Sequence, residues 1–329
     1  MVSPRHISPL VREADLCTTP ATVSRAVNWL TDERLAVKVA MPEASSSILQ
    51  YEAQVYEQFA GSRAIPFLHW SGSDGDADIL VMDYLGPTLE HMRRACRGTL
   101  TLKSVLMIGL QILDFVEFAH SRGIILRDIK PHNFAVGRAP KPENPSTIYA
   151  FDFGLAKMYV DPLKKTHIPL RTGRTICGTI RYSSHWSHLG LEASRRDDIV
   201  ALGHTLLHLL HGHLPWQGIY AASVEAKIAR IGEMKTPTNV ALTELLSRSP
   251  AALRNFMAHA HGLNFEQKPN YGMLRGLLEG ALTEHGWEND GLFDWMEPEL
   301  APRGTLLPQE YQYLLDPEAV PTTTRPLSG

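Results

Sequence analysis

The sequence predicts an α+β fold in two parts, a small sheet with one helix followed by a larger helical region. Three observations support this prediction. Residues 21–85 read as short apolar strands separated by turn-forming residues. At Gly86-Pro87 the pattern changes, and beyond it apolar residues recur at helical spacing. The chain of 329 residues is long enough to bury a core of this kind without help from disulfides.

The first part is predicted to contain two β-hairpins and one helix between them. The predicted strands are Val23 to Leu30, Arg34 to Ala40, Phe67 to Trp70 and Asp78 to Tyr84. Residues 71–76 are rich in turn formers and are predicted to be the loop of the second hairpin. The helix is predicted over Ser45 to Phe59, because apolar side chains recur along one face of it. That face consists of Ile48, Tyr51, Val55 and Phe59.

The second part is predicted to be mainly helical. Helices are expected over Leu102 to His120, Asp198 to Leu210, Ala251 to His261 and Tyr271 to Leu282. The helix that starts at Asp198 is apolar on nearly every face, which indicates that it is buried all round. A short hairpin is predicted from Phe134 to Val136 and from Ile148 to Phe151. Residues 297–329 are rich in proline and are interpreted as a C-terminal tail.

Charge and cysteine content narrow the classes of partner. Lys and Arg number 32 against 35 Asp and Glu, so there is no overall positive charge to attract nucleic acid or an anionic membrane. No apolar run is long enough to span a bilayer, and the first 20 residues do not resemble a signal peptide. The cysteines Cys17, Cys96 and Cys177 lie far apart. This spacing favours a reducing compartment, either the cytoplasm or the nucleus.

One pair of motifs points to phosphoryl transfer. The first is Leu126-Arg127-Asp128-Ile129-Lys130-Pro131-His132-Asn133, and the second is Asp152-Phe153-Gly154. Phosphoryl transfer needs a carboxylate near the substrate hydroxyl, a cation near the transferred phosphate and ligands for magnesium. The two motifs supply all three. Upstream, Lys38 lies in a predicted strand and Glu52 in the next helix, in the order found in protein kinases.

Further motifs make the resemblance more specific. They are Leu85-Gly86-Pro87-Thr88-Leu89-Glu90, Cys177-Gly178-Thr179-Ile180-Arg181-Tyr182, Ser194-Arg195-Arg196-Asp197-Asp198 and Leu214-Pro215-Trp216-Gln217-Gly218. With them, residues 10–296 resemble the casein kinase 1 superfamily of Ser/Thr protein kinases. The resemblance implies a bilobal protein kinase fold, with an N-lobe over about residues 10–85 and a C-lobe over about 86–296.

The resemblance also implies ATP and Mg²⁺ as cofactors and gives roles to residues of the two motifs. Asp128 is expected to orient and deprotonate the substrate hydroxyl. Lys130 is expected to neutralise charge on the moving phosphoryl group, as in Ser/Thr kinases. Asn133 and Asp152 are expected to bind magnesium, a hard cation that prefers oxygen ligands. Asp198 matches the buried helical aspartate that braces the catalytic loop.

The nucleotide site is expected to draw on both lobes. Lys38 would hold the phosphates and Glu52 would orient Lys38. Met82 matches the gatekeeper position, and Asp83 to Leu85 the hinge that hydrogen-bonds adenine. The full set of residues expected to bind the nucleotide is Val23, Ala36, Lys38, Glu52, Met82, Asp83, Leu85 and Ala135.

The resemblance implies protein substrates that are acidic or already phosphorylated. Arg181 and Lys227 match positions that bind a priming phosphate, and Gly218 would allow close approach of the backbone. Arg171 and Arg174 add positive charge to the same segment. Arginine matches the geometry of a phosphate group and forms strong charge-assisted hydrogen bonds with it. An alternative is that these arginines only order the activation segment, the part of the chain that follows Asp152-Phe153-Gly154, by pairing with acidic side chains.

Three departures from the kinase pattern support a second hypothesis. The loop that covers the phosphates is normally rich in glycine, but no glycine occurs before Gly61, and the matching stretch is 16–21. Leu126 replaces the usual histidine of the catalytic loop. Ala135 stands where a larger adenine-floor residue is common, and Phe151 is bulky, so Phe151 either fills the space left by Ala135 or narrows the nucleotide pocket. The alternative to an active kinase is therefore a pseudokinase that uses the cleft as a binding surface or scaffold.

Overall fold

The first part of the chain forms a four-stranded antiparallel sheet with one helix. The computed structural model describes residues 21–40, 42–138 and 146–296, and for 42–47 it describes the backbone alone. The elements are β1 Ala21–Val27, β2 Arg34–Ala40, α1 Pro42–Gln58, β3 Leu68–Asp74 and β4 Ala77–Asp83. The strands pair in the order β1-β2-β4-β3. The two predicted hairpins are therefore confirmed.

The second hairpin differs from the prediction in the length of its loop. The segment predicted as loop is mostly strand, because β3 continues to Asp74 and pairs Ser71 with Leu80 and Ser73 with Asp78. Only Gly75 and Asp76 remain as the turn, with Gly75 at a φ of 58°. Hydrogen bonding to β4 thus outweighs the turn-forming composition of this stretch.

Helix α1 buries the predicted face except at Ile48. Val55 and Phe59 are buried as expected, and Leu49 and Glu52 beside them are 2% and 1% exposed, but Ile48 is 47% exposed. Ile48 lies one turn before Glu52 on the same face of the helix, and both side chains border Gly154, where an added Cβ would lie 3.4 Å from each.

The second part contains eight helices and four short strands among the described residues. They are α2 Leu89–Ala95, α3 Leu102–Ser121, β5 Ile124–Ile125, β6 Phe134–Val136, β7 Ile148–Ala150, β8 Lys157–Met158, α4 His185–His188, α5 Arg195–His211, α6 Val224–Met234, α7 Val240–Ser247, α8 Ala251–Gly262 and α9 Tyr271–Glu284. Two 3₁₀ turns lie at Pro131–Asn133 and Asp294–Met296. The α+β class with its small sheet and larger helical region is confirmed.

The core of the second part is built around α3 and α5. Both helices were predicted, and nearly every residue of α5 is buried, as expected. Helices α2, α4, α6 and α7 were not predicted. Helix α6 lies at the surface, and of its residues only Ile231 and Gly232 are buried.

The two parts meet at a short connection after β4. The backbone nitrogen of Gly86 donates to the carbonyl of Val136, at 3.0 Å. A Cβ atom at position 86 would lie 2.8 Å from Val136 Cγ2 and 2.9 Å from its carbonyl oxygen, so glycine is required for this close contact. In the described ranges, no helix is long and apolar enough to cross a membrane. The predicted tail at 297–329 and residues 16–20 of the predicted phosphate loop lie outside the described residues.

Candidate active site

Lys38 joins the two parts of the chain through a pair of carboxylates. Its Nζ lies 2.8 Å from Glu52 Oε2 and 2.8 Å from Asp152 Oδ1. Burial lowers the pKa of Lys38, but the two negative charges outweigh this effect, so the pKa lies above its ordinary value. Burial raises the pKa of Glu52, and the Lys38 ammonium offsets only part of that rise. Lys38 is therefore charged, and its amine is fixed between the helix α1 and the segment after β7.

Aromatic packing positions the Asp152-Phe153-Gly154 segment. The Phe153 ring is buried, and its centroid lies 4.8 Å from that of Tyr56, 5.1 Å from that of Phe59 and 5.8 Å from that of Phe115. Next to it, Asp152 adopts a φ of 65°, which is unusual for a residue with a side chain. The Tyr56 hydroxyl accepts a hydrogen bond from the Asp152 nitrogen, at 3.4 Å. The packed ring and this bond hold the Asp152 carboxylate towards Lys38.

The catalytic loop gathers its polar side chains around Asp128. Lys130 Nζ lies 2.7 Å from Asp128 Oδ2. The Asn133 amide nitrogen donates to the backbone oxygen of Asp128, at 3.0 Å, and to its Oδ2, at 3.2 Å. Asp128 Oδ1 accepts from the Thr179 nitrogen, at 2.8 Å. The carboxylate is thereby oriented by two chain segments, the catalytic loop and the activation segment.

Asp198 braces this loop from the buried helix α5. Its carboxylate accepts hydrogen bonds from the backbone nitrogens of Leu126, at 2.7 Å, and Arg127, at 2.9 Å. His120 Nε2 lies 2.8 Å from Asp198 Oδ2. The predicted bracing role is confirmed. Because Asp198 holds the backbone at Leu126, the histidine missing from that position is not needed for this contact.

Replacing Asp198 by asparagine should destabilise the fold. Asparagine has one acceptor oxygen in place of two, so the Asp198→Asn variant leaves buried N–H donors of Leu126, Arg127 or His120 without partners. We expect the free energy of unfolding to fall by about 2–4 kcal/mol. Urea denaturation measures the loss, with Asp76→Asn in the exposed turn after β3 as the matched control. Equal midpoints for the two variants would contradict the bracing role.

The residues expected to bind magnesium have suitable donor atoms. The Asn133 amide nitrogen is engaged by Asp128, which leaves the amide oxygen as the ligand atom. The Asp152 carboxylate gives one oxygen to Lys38, and its side chain is still 39% exposed. An amide oxygen and a carboxylate oxygen are the ligands that Mg²⁺ prefers. The chemistry of the donor set therefore fits this ion.

The residues expected to contact adenine lie on β1, β2, β4 and β6. Ala36 of β2 pairs with Met82 of β4, and Val23 of β1 pairs with Lys38. Met82 is buried, and its sulfur lies 3.7 Å from the Tyr56 hydroxyl. Ala135 in β6 is 1% exposed.

The connection between the parts is held by the Asp83 side chain. Its carboxylate accepts from the Phe67 nitrogen, at 3.0 Å, and lies 2.8 Å from His69 Nε2. The Asp83 nitrogen in turn donates to the Phe67 carbonyl, at 3.0 Å. The role of Asp83 to Leu85 as a hinge that hydrogen-bonds adenine stays a prediction. Leu85 follows and is half-buried, and Phe151 is half-buried beside Asp152.

The residues expected to read a substrate phosphate lie on the second part, and their local settings differ. Arg181 is half-buried, with its guanidinium 5.8 Å from the Tyr182 ring centroid. Gly218 has a φ of 70°, and Lys227 is exposed on α6. The Arg181 carbonyl accepts from Trp216 Nε1, at 2.7 Å, which connects the Arg181 loop to the segment that carries Gly218.

Arg174 has a structural partner, in agreement with the alternative weighed for the arginines of this segment. Its Nε lies 3.3 Å from Glu192 Oε2, and Lys157 Nζ lies 2.6 Å from Glu192 Oε1. The Glu192 side chain is only 4% exposed. Glu192 was not predicted, because it stands in no recognised motif and its partners lie 18 and 35 positions away.

The fold and the site together define a protein kinase, with an ordered Lys38–Glu52 pair and a braced catalytic loop. The profile of the protein kinase domain matches residues 19–270, so the chain belongs to the protein kinase family. Within it, the resemblance to casein kinase 1 is confirmed by two curated relatives from Schizosaccharomyces pombe (strain 972 / ATCC 24843). Casein kinase I homolog 2 is 38% identical over 270 residues, and casein kinase I homolog 1 is 39% identical over 273.

These matches cover most of this chain but only part of each relative. They span 82% and 83% of this chain, and 61% and 60% of the length of the relatives. The predicted domain boundaries at 10 and 296 are wider than the matched range of 19–270 and stay a prediction.

Proposed function

We propose that this chain is a Ser/Thr protein kinase that transfers the γ-phosphoryl group of ATP, with Mg²⁺, to protein substrates. The observation that carries the proposal is the position of Lys38 Nζ, 2.8 Å from both Glu52 and Asp152. This arrangement prepares an amine for phosphate oxygens next to a carboxylate for the metal. A chain that only binds a partner in its cleft has no need of it.

Each polar residue of the cleft then has a chemical task. The Asp128 carboxylate orients the substrate hydroxyl and accepts its proton, while Lys130, 2.7 Å away, offsets negative charge that develops nearby. Asn133 and Asp152 hold Mg²⁺, which supplies positive charge to the phosphates. Lys38 holds the phosphates and is itself oriented by Glu52.

The pseudokinase alternative depends on three departures from the kinase pattern. One of them, Leu126, is accommodated, because Asp198 bonds the backbone there and not the side chain. Residues 16–20 lie outside the described residues, and Phe151 is half-buried next to the cleft. Direct measurement of turnover decides between the two hypotheses.

The deciding experiment supplies the purified chain with labelled ATP, Mg²⁺ and an acidic Ser/Thr peptide in phosphorylated and unphosphorylated forms. We expect transfer of label to the peptide, together with a rise in melting temperature on adding ATP and Mg²⁺. If a folded chain shows neither transfer nor a thermal response, the kinase proposal is rejected in favour of the scaffold. A thermal response without transfer would reject the enzyme and keep nucleotide binding.

We further propose that the substrates are acidic or phospho-primed proteins, recognised by Arg181, Gly218 and Lys227. The proposal is supported by the exposed amine of Lys227 and by Gly218, where an added Cβ would meet nothing within 4 Å, so the backbone is open to a ligand.

We also propose that the protein functions in a reducing compartment, the cytoplasm or the nucleus. The free thiols of Cys96 and Cys177 support this proposal.

Loss of the Arg181 or the Lys227 side chain should weaken recognition of a priming phosphate on the substrate. We expect Arg181→Ala and Lys227→Ala each to lower kcat/KM for a primed peptide by about 10- to 100-fold, because each removes a charge-assisted hydrogen bond. The unprimed peptide should change by less than about threefold, since it lacks the phosphate. Arg230→Ala, exposed on the same helix, is the matched control. Equal losses on both peptides would reject a phosphate-reading role.

A further inference from the structure

A buried lysine outside every motif holds the loop that carries Arg181. Lys235 follows the last residue of α6 and is 0% exposed. Its Nζ donates to the carbonyl of Ile180 and to the carbonyl of Ser183, the second at 2.7 Å. These two carbonyls lie on either side of Arg181 in the chain. One amine thus fixes the backbone both before and after the residue expected to read a phosphate.

Further acceptors surround the Lys235 amine. A third neighbour, His188 Nε2, lies 3.1 Å from Nζ. His188 Nδ1 lies 2.9 Å from the carbonyl of Ile228, which can only accept, so Nδ1 carries the proton and Nε2 is an acceptor. Ser183 Oγ lies 3.4 Å from Nζ and 3.2 Å from His188 Nε2, so the amine lies among four acceptors.

The Lys235 amine is held by uncharged acceptors. No carboxylate forms an ion pair with Lys235 in the part of the chain that the structure describes. Burial lowers the pKa of Lys235 well below its ordinary value, so desolvation opposes the charged form. The Trp216 ring, with its centroid 5.4 Å from Nζ, offsets part of this cost.

Trp216 fixes the same loop from a second direction. Its ring is 2% exposed, and Nε1 donates to the Arg181 carbonyl, at 2.7 Å. The carbonyls of Ile180, Arg181 and Ser183 are therefore all bound by buried donors. This leaves the Arg181 side chain as the part of the loop that is available to a substrate.

Helix α6 connects this loop to Lys227. The His188 contact to Ile228 joins α4 to α6 one residue after Lys227. At Gly232 an added Cβ would lie 2.5 Å from His188 Cβ, so the two helices meet at close range. Lys235 closes the same connection at the end of α6. The loop with Arg181 and the helix with Lys227 are thus parts of one packed unit.

We propose that Lys235 is a positioning residue that sets the preference for phospho-primed substrates. It does so by holding the loop of Arg181 in a fixed position relative to Lys227. The inference rests on the proposed function of Arg181 and Lys227. Lys235 touches no substrate and acts through the backbone carbonyls around Arg181. Removing the amine frees these carbonyls and lets the Arg181 loop move away from α6, while Asp128, Lys38 and Asp152 keep their own partners.

The test uses Lys235→Met in the full chain, because methionine keeps the length of the side chain and removes its donors. Binding of a fluorescent primed peptide and its unprimed twin is measured by anisotropy, so that the result does not depend on turnover. We expect the ratio of the two affinities to fall about tenfold, with unprimed binding and the thermal response to ATP unchanged. Lys164→Met, exposed in the activation segment, should leave the ratio unchanged.

Trp216→Phe is the second variant, since it keeps a ring and removes the bond to Arg181. Trp216→Phe should also lower the ratio of the two affinities. If Lys235→Met does not fold, this variant tests whether a fixed Arg181 loop sets the preference for the primed peptide. An unchanged ratio in a folded variant, or equal loss on both peptides, overturns the role of Lys235. A wild-type chain that prefers primed peptide but transfers no phosphate rejects the proposed enzyme and leaves this inference standing. A wild-type chain that binds the primed and unprimed peptides equally well overturns the inference.

Discussion

The Asp128→Asn variant should lose transfer of phosphate and keep its fold. The amide cannot accept the proton of the substrate hydroxyl, and general base catalysis is worth about 10²- to 10⁴-fold in rate. Thr179 can still donate to the side-chain oxygen at position 128, so the loop should stay in place. We therefore expect kcat to fall by that factor, measured with labelled ATP and a Ser/Thr peptide, while the melting temperature with ATP and Mg²⁺ stays close to that of the wild type.

The control for this variant is the same change at an exposed position. Asp161 lies in the activation segment, and its Oδ1 accepts from the backbone nitrogens of Leu163 and Lys164. Asp161→Asn should keep the rate within about twofold of the wild type, because that side chain makes only surface contacts. If Asp128→Asn retains the wild-type rate, Asp128 is not the base and the assignment of the cleft fails.

The centre of the site was predictable because its chemistry limits which residues can appear there. Lys38, Glu52, Asp128 and Asp152 are widely separated in sequence, yet each is required by phosphoryl transfer in a known order. The structure brings Lys38, Glu52 and Asp152 into direct contact and places Lys130 against Asp128. The fold class was predicted separately from the spacing of apolar residues, and the resemblance to casein kinase 1 from further motifs such as Cys177-Gly178-Thr179.

The supporting contacts were not predictable, because no local pattern encodes them. Lys235 reads as one more cation at the end of an exposed helix, and its burial depends on a loop about 50 positions earlier. Glu192 depends in the same way on Lys157, which lies 35 positions before it. Such contacts are decided by tertiary packing, which a window of sequence does not contain.

Local composition was misleading where long-range pairing decided the structure. The segment 71–74 has the residues of a loop but forms strand, because β4 supplies hydrogen-bond partners along its length. A contact between distant residues overrides a local preference there. Ile48 looks like a core residue but is 47% exposed, although Glu52, one turn later on the same face, is buried.

The Lys38→Met variant should lose the response to nucleotide and also part of its stability. The amine that would hold the phosphates is gone, so ATP with Mg²⁺ should no longer raise the melting temperature. The Glu52 carboxylate, 1% exposed, then lies buried without its cation. An unpaired buried charge is costly, and we expect the free energy of unfolding to fall by about 2–4 kcal/mol near neutral pH.

The loss of stability should depend on pH in a defined direction. Burial raises the pKa of Glu52 even in the presence of Lys38, and removing Lys38 removes the charge that lowers it. A carboxyl whose pKa is higher in the folded state than in the unfolded state favours folding when protonated. This contribution is present at low pH and is lost as the pH rises through the folded-state pKa. The deficit of Lys38→Met relative to the wild type should therefore be small in acid and grow towards neutral pH.

A double variant separates the two effects of this substitution. In Lys38→Met with Glu52→Gln the buried charge is gone, so most of the lost stability should return and its dependence on pH should disappear. The response to ATP and Mg²⁺ should stay absent, because glutamine does not replace the amine that holds phosphate. Urea denaturation at several pH values and thermal shifts with nucleotide measure the two effects on the same samples. If the double variant regains the nucleotide response, Lys38 does not hold the phosphates, and the chain binds ATP by other groups.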